Sequence, residues 1–376
     1  MLIYLAVILF CFLLAFFKMP RSIENIALVA IAFFLCFGYM TGTDWYNYEL
    51  FYYDIELANK ILKTREFGYF ITQSFFSKIG VDFWTFHIVA KLLVFGAMIY
   101  FIRYFNVNVF LFLGIFLADI GFYLFIDCPF RNLIALGFGL IAFTYLFENK
   151  PINYFVLVFI AMTFHLSAII MVFVYFIYKK NIKTIYVIIA ATVLYVIAFN
   201  MDFLTEYIYK PLEELFPIIK ERFTSYLKDE KFVSESINIG SFIRLAVLFI
   251  LLLFKDIIVS DSEKSKYIFN IGIILLLIYP FGVSFKIFQR FPLFLFPFYV
   301  LAILYLLKTV KIKANLYILG AFFMLLSFFQ TYNTVTADFR YVPYTNYIYY
   351  WSKKDFPPIE ERAYYNKKHS PYKNKK

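Results

Sequence analysis

The chain has 376 residues, 63% of them apolar and only 16% charged. A soluble globule needs roughly 25% charged residues to cover its surface, so this composition excludes a soluble enzyme and places most of the surface against membrane lipid. The formal charge of +11 does not mark a nucleic-acid binder. Lys and Arg sit in short clusters between apolar runs, a pattern that sets membrane topology and touches anionic headgroups.

Apolar runs long enough to cross a hydrocarbon core of ~30 Å recur along the chain. Residues 2–17 lack a basic n-region and a small-residue cleavage site, so they are expected to be a retained first helix rather than a signal peptide. Residues 26–40 form the next span, and 41–66 a polar loop. Residues 67–79 are amphipathic and too short to cross, which suits an interfacial helix. Spans follow over 83–102, 107–126 and 132–147. The apolar stretch 152–178 is interrupted by Thr163, His165 and Ser167. Another span covers 184–199, and a second polar stretch runs over 200–238. The last spans cover 239–254, 267–283, 291–307 and 315–329. No fixed-period repeat is present.

The expected fold class is therefore an all-α integral membrane protein, a polytopic helix bundle of about 11 spans with outer loops and a broken helix near His165. Lys18, Arg21, Arg103, Lys150, Lys179, Lys183, Lys255, Lys264, Lys308 and Lys313 mark the loops expected on the cytoplasmic side. They share that side only if 152–178 enters and returns as two half-helices, because at about 1.5 Å per residue it is too short for two crossings. Loops 41–66 and 200–238 then face the other, periplasmic side of an inner membrane. Residues 1–330 read as the transmembrane domain, and 331–376 as a Tyr-rich and then basic periplasmic tail.

Two loops concentrate polar chemistry. The first carries Asp44, Trp45, Tyr46 and Tyr48, then Asp54, Glu56, Arg65 and Glu66. Aromatic faces stack on sugar rings, and a carboxylate beside a hydroxyl can act as general base; an interfacial aromatic belt with solvated acids is the plainer reading. The second runs from Asp127 to Asn132, where Pro129 breaks the chain and Arg131 opens a helix. An Arg there opposes the helix dipole but presents a bidentate fork for phosphate, the alternative being a snorkelling membrane-edge Arg.

His165 lies inside an apolar run, where an ionisable group is either functional or satisfied by a carbonyl freed at the helix break. His87 and Lys91, one turn apart, invite the same question. Arg290 parallels Arg131 at an expected helix start, and Arg244 lies one turn into its own. Tyr341 and Tyr344 either close over this face or anchor the tail at the interface. The three cysteines and three histidines have no metal-ligand spacing, and neither a metal nor another cofactor is expected.

Taken in order, these elements resemble the EpsG family of polysaccharide-synthesis membrane proteins, a branch of the Wzy-type O-antigen polymerases. The resemblance rests on Gly42, Asp44 and Tyr48, then Glu66, Gly68 and Tyr69, then Arg131 and Ala135. It continues through Ala161, His165 and Ser167, Arg290, and the closing Tyr341, Pro343 and Tyr344. Asn132 departs from it, standing where the family usually has Gln. The resemblance implies a glycosyltransferase that polymerises undecaprenyl-pyrophosphate-linked oligosaccharide repeat units at the periplasmic face, with a chain-length regulator protein as an expected partner. It assigns catalysis to Asp44, Glu66 and His165, the first two orienting or deprotonating the acceptor. Arg131 and Arg290 would hold the diphosphate, with Arg244, Tyr48, Trp45, Tyr341 and Tyr344 also contacting substrate. A flippase of lipid-linked sugars and an O-antigen ligase-like enzyme are the alternatives.

Overall fold

A computed structural model describes the chain except residues 43, 63–65, 201–202, 204–205, 208–210, 212–238, 285, 338 and 370–376. Most of the polar stretch 200–238 and Arg65 thus lie outside the described residues. Among the described residues 83% are helical and none forms a strand.

In chain order the helices are α1 (Leu2–Ala15), α2 (Arg21–Cys36), α3 (Trp45–Tyr53), α4 (Ile55–Leu62), α5 (Phe67–Lys78), α6 (Phe83–Tyr104) and α7 (Val109–Phe116). Two π-helical turns, Leu117–Gly121 and Tyr123–Asp127, continue α7. Then come α8 (Phe130–Phe147), α9 (Pro151–Phe164), α10 (Ile170–Ile177), α11 (Thr184–Ala198), α12 (Ile239–Leu253), α13 (Lys255–Ser260), α14 (Glu263–Ser284) and α15 (Phe296–Thr309). The chain closes with α16 (Lys313–Ala337), α17 (Tyr347–Lys353) and α18 (Ile359–His369).

Local chemistry sets many of these ends. Asp82 accepts a hydrogen bond from the Thr85 N–H and starts α6, and Asn108 does the same for Leu111 and α7. Pro129 stands at the N-cap of α8, and Pro151 at the first turn of α9, where its missing N–H costs nothing. His165 is extended, at φ −155° and ψ 122°, and ends α9. The break near His165 is therefore present, followed by a 3-10 turn over Leu166–Ile169.

Among the described residues, Phe83–Tyr104, Phe130–Phe147, Glu263–Val283 and Lys313–Thr336 are long and apolar enough to cross a membrane. A pair bent by 50°, Phe288–Phe294 with Phe296–Thr309, would raise these four to five. Several shorter apolar helices of 10–17 residues fall within other expected spans. The helices fit a multi-pass membrane protein, while the expected total of about eleven exceeds what length and composition qualify.

The chain divides into two compact units, residues 1–169 with 313–376, and residues 170–312. In the first, α8 packs against α6 and α9, α5 against α9, and α1 against α7 and α16. In the second, α14 packs against α15, α11 and α13. Asn270 of α14 donates to the Tyr178 and Lys180 carbonyls at 2.8 and 2.9 Å, tying that helix to the end of α10.

Candidate functional site: a carboxylate held by arginine and histidine

The loop 41–66 is not irregular: α3 and α4 occupy most of it. Its aromatic residues pack as a helix face, with Trp45, Tyr48 and Tyr52 buried while Tyr46 and Tyr53 are exposed. Composition alone did not separate these short helices from a polar loop.

Glu66 stands at the N-cap position of α5 and is 7% exposed. Its carboxylate is gripped from two sides. One oxygen accepts a very short ion-paired hydrogen bond from Nη1 of Arg131, and the other lies 2.5 Å from Nδ1 of His165. Residues 65 and 99 positions further along the chain thus meet on one carboxylate. Three elements bring them there: the start of α5, the second residue of α8, and the extended residue that ends α9.

Gly68 sets how closely these elements approach. A Cβ at Gly68 would run into the Thr163 side chain and sit 3.1 Å from the Thr163 carbonyl carbon. The missing side chain lets α5 lie against the end of α9, and so lets Glu66 reach His165.

Tyr48 completes the cluster. Nε of Arg131 donates to its hydroxyl oxygen at 3.3 Å, and the guanidinium lies 5.5 Å from its ring centroid. Burial pushes the Tyr48 phenol up from its ordinary value, partly opposed by Arg131 and reinforced by Asp44 and Glu66. The phenol stays protonated, so Tyr48 can accept from Arg131 and still donate. Ser167 donates to Oδ1 of Asn132 at 3.2 Å, fastening the turn after His165 to the start of α8. Asn132 is thereby a clamp beside Arg131.

Asp44 is exposed at the N-cap position of α3, one turn before Tyr48. Trp45 is 2% exposed, and its indole N–H donates to the Gly42 carbonyl at 3.1 Å. Its ring therefore packs inside the protein. Tyr341 is buried, its carbonyl accepting the Tyr4 hydroxyl at 2.7 Å, while Tyr344 donates to the Phe34 carbonyl at 2.7 Å. Both tyrosines hold the returning chain against α1 and α2.

Arg244 and Arg290 belong to the second unit. Arg244 is buried among the rings of Tyr279, Tyr299 and Phe296, at 5.0, 5.0 and 5.8 Å. Arg290 ends a 3-10 turn over Lys286–Arg290 ahead of a further turn and α15, so it precedes the long helix rather than opening it. Pro292 and Pro297 explain this: neither can donate in a continuing helix. His87 and Lys91 are buried in α6, and the His87 ring lies 4.5 Å from Phe130.

Sequence reasoning did not single out Arg340, whose Nη1 pairs with the buried Asp127 carboxylate at 2.6 Å. The Arg340 carbonyl also accepts the Gly42 N–H at 3.0 Å. Its place beside Tyr341 was the only signal. Among the described residues, no group of three or more His, Cys, Asp or Glu side chains is placed to hold a metal ion.

A membrane helix protein with a carboxylate–histidine–arginine cluster is the class these features define. The model of the EpsG family matches residues 21–346, nearly the whole chain, and the protein belongs to that family. EpsG is a Wzy-like polymerase-type family, and membership points to membrane polysaccharide biosynthesis. No curated protein matches, and no solved structure does either.

Proposed function

We propose that the protein joins lipid-linked oligosaccharide repeat units into a polysaccharide, transferring the growing chain from its undecaprenyl diphosphate carrier to an acceptor hydroxyl at the periplasmic face. The observation that carries this reading is Glu66 held between Arg131 and His165. With its proton on Nδ1, facing Glu66, the His165 ring bears its basic lone pair on Nε2. The carboxylate orients the imidazole and stabilises the imidazolium that forms, as in other carboxylate–histidine pairs.

In the proposed step the acceptor oxygen attacks the anomeric carbon and its proton passes to His165. The bond from that carbon to the carrier diphosphate breaks, and the electron pair leaves with the diphosphate. A guanidinium has five N–H donors, so Arg131 can keep its contacts to Glu66 and Tyr48 and still meet a departing phosphate oxygen. Asp44, exposed one turn from the buried Tyr48, shapes the sugar side. The carrier, the periplasmic face and a chain-length regulator partner belong to this proposal.

The test is the chain-length profile of surface polysaccharide in a strain rescued with Glu66→Gln, Arg131→Gln or His165→Asn, each checked for membrane abundance. Single repeat units in place of a ladder are expected. A full ladder from normally expressed Glu66→Gln would sink the assignment, and accumulation of lipid-linked units on the cytoplasmic side would favour a flippase.

A further inference from the structure

The family match ends at residue 346, yet the chain beyond it folds back onto the loop that carries Asp44. Gly38 and Asn346 form an antiparallel bridge, and Tyr39 N–H donates to the Thr345 carbonyl at 2.9 Å. Further on, α18 brings Asn366 to Gly42, whose carbonyl accepts from Nδ2 at 3.3 Å. That carbonyl also accepts from Trp45, so α18 touches the hinge of the loop two residues before Asp44.

One turn before Asn366 on the same helix is Arg362, only 9% exposed. Among the described residues its Nε and Nη2 meet no hydrogen-bonding partner, and neither does Oδ1 of Asn366. The guanidinium lies 4.9 Å from the Tyr365 ring centroid, with Tyr4 and Tyr350 nearby. None of these neighbours is a carboxylate, and Arg362 forms no salt bridge among the described residues. A desolvated cation without counter-charge is costly, and removing such a charge for an apolar group commonly stabilises a fold. Its environment accordingly pulls Arg362 below the ordinary arginine range, burial being the main cause. Packing alone would be served as well by an apolar residue here.

We propose that Arg362, with the second Nδ2 N–H of Asn366, forms an oxyanion subsite for the lipid-linked substrate, taking a sugar carboxylate or an oxygen of the carrier diphosphate. The inference rests on the polymerase reading for its ligand class. Two guanidinium N–H groups can receive an oxyanion bidentately, and tyrosine rings beside them suit a sugar. Because Asn366 holds Gly42, an occupied subsite would also steady the loop leading to Asp44. The tail is thus a substrate-recognition element that this chain adds beyond the family-matched region.

The experiment uses the full-length protein in nanodiscs, wild type against Arg362→Met, at matched ionic strength. Thermal stabilisation is titrated with inorganic pyrophosphate, with D-glucuronate, and with D-glucose as a neutral control. The expected result is a response to one of the two anions that weakens by about tenfold or more in Arg362→Met, while the unliganded melting temperature is unchanged or higher. Pyrophosphate as the active probe points to the carrier, and glucuronate to an acidic sugar. If both anions act equally on wild type and variant, the proposal is overturned. A clear fall in melting temperature with no loss of response would make Arg362 a structural residue and overturn it too. Should Arg362→Met not fold, Asn366→Ala is titrated in the same way: a weakened response supports the subsite, and an unchanged one removes it. Glu66→Gln separates the two readings. A full polysaccharide ladder from that variant sinks the polymerase reading without touching the anion response, whereas loss of the ladder beside an unaltered Arg362→Met response sinks only the subsite.

Discussion

Glu66 illustrates how one residue carries several demands. Its two oxygens answer Arg131 and His165, so replacing it leaves a cation without its counter-charge. Glu66→Gln is expected to lower stability more than the double variant Glu66→Gln with Arg131→Gln does, with a coupling of roughly 1–3 kcal/mol in a double-mutant cycle. Thermal melts of the four proteins in one detergent check this, and additive effects would mean that the pair is not coupled. Gly42 is constrained differently. It has φ +80°, and a Cβ there would sit 2.5 Å from the Asp127 carbonyl oxygen and 2.6 Å from its Cα. Backbone cannot yield as a flexible side chain can, so Gly42→Ala is expected to cost roughly 2 kcal/mol or more in stability.

Glu49 provides the pH prediction. Burial pushes its carboxyl up to about 7 from an ordinary 4.5, with the Trp84 hydrogen bond pulling down and Asp82 adding to the rise. Between those two values the folded protein binds more protons than the unfolded chain. This contribution is therefore complete below pH 4.5 and is lost as pH rises through 7. Its size is on the order of 3 kcal/mol. Glu49→Gln should flatten that part of the melting-temperature profile relative to wild type, and identical profiles would place the titration elsewhere.

At the scale of elements, the site depends on where helices stop. The start of α5, the start of α8 and the end of α9 converge. Pro129 at the N-cap is visible in the sequence, and so was the polar interruption around His165. The contact of Gly68 with Thr163 was not, because it joins residues far apart in the chain. Gly68→Ala should push α5 away from α9, separate Glu66 from His165 and shorten or abolish the polysaccharide ladder with normal membrane abundance. A wild-type ladder would mean that the approach of these helices is not needed. The π-helical turns after α7 belong to the same scale. They lead into Cys128, which has φ +57°, and so turn Asp127 toward Arg340.

Across the molecule, the chain after α16 returns to the loop between α2 and α3. The Arg340–Asp127 pair and the bridge at Gly38 and Asn346 fasten it. Asp127 is 4% exposed on its side chain against 33% for Arg340, so the interaction is screened less than a surface pair. Arg340→Gln is expected to loosen this return and increase limited proteolysis within residues 339–346. Unchanged cleavage would assign the hold to the tyrosine contacts instead.

How much of this could be read in advance follows from the reach of each force. Residues such as Pro129, Asp82 and Asn108 act within a few positions, and apolar run length is a local count. The all-helical membrane class, most helix positions, the break at His165 and the family were therefore determined by the sequence itself. The same local signals named Glu66, Arg131 and His165 as separate candidates. That they meet on one carboxylate, that Trp45 turns inward, and that Arg340 and Asn366 fold back onto the Gly42 loop were decided only by tertiary packing. Those contacts join positions that nothing in the linear order brings together.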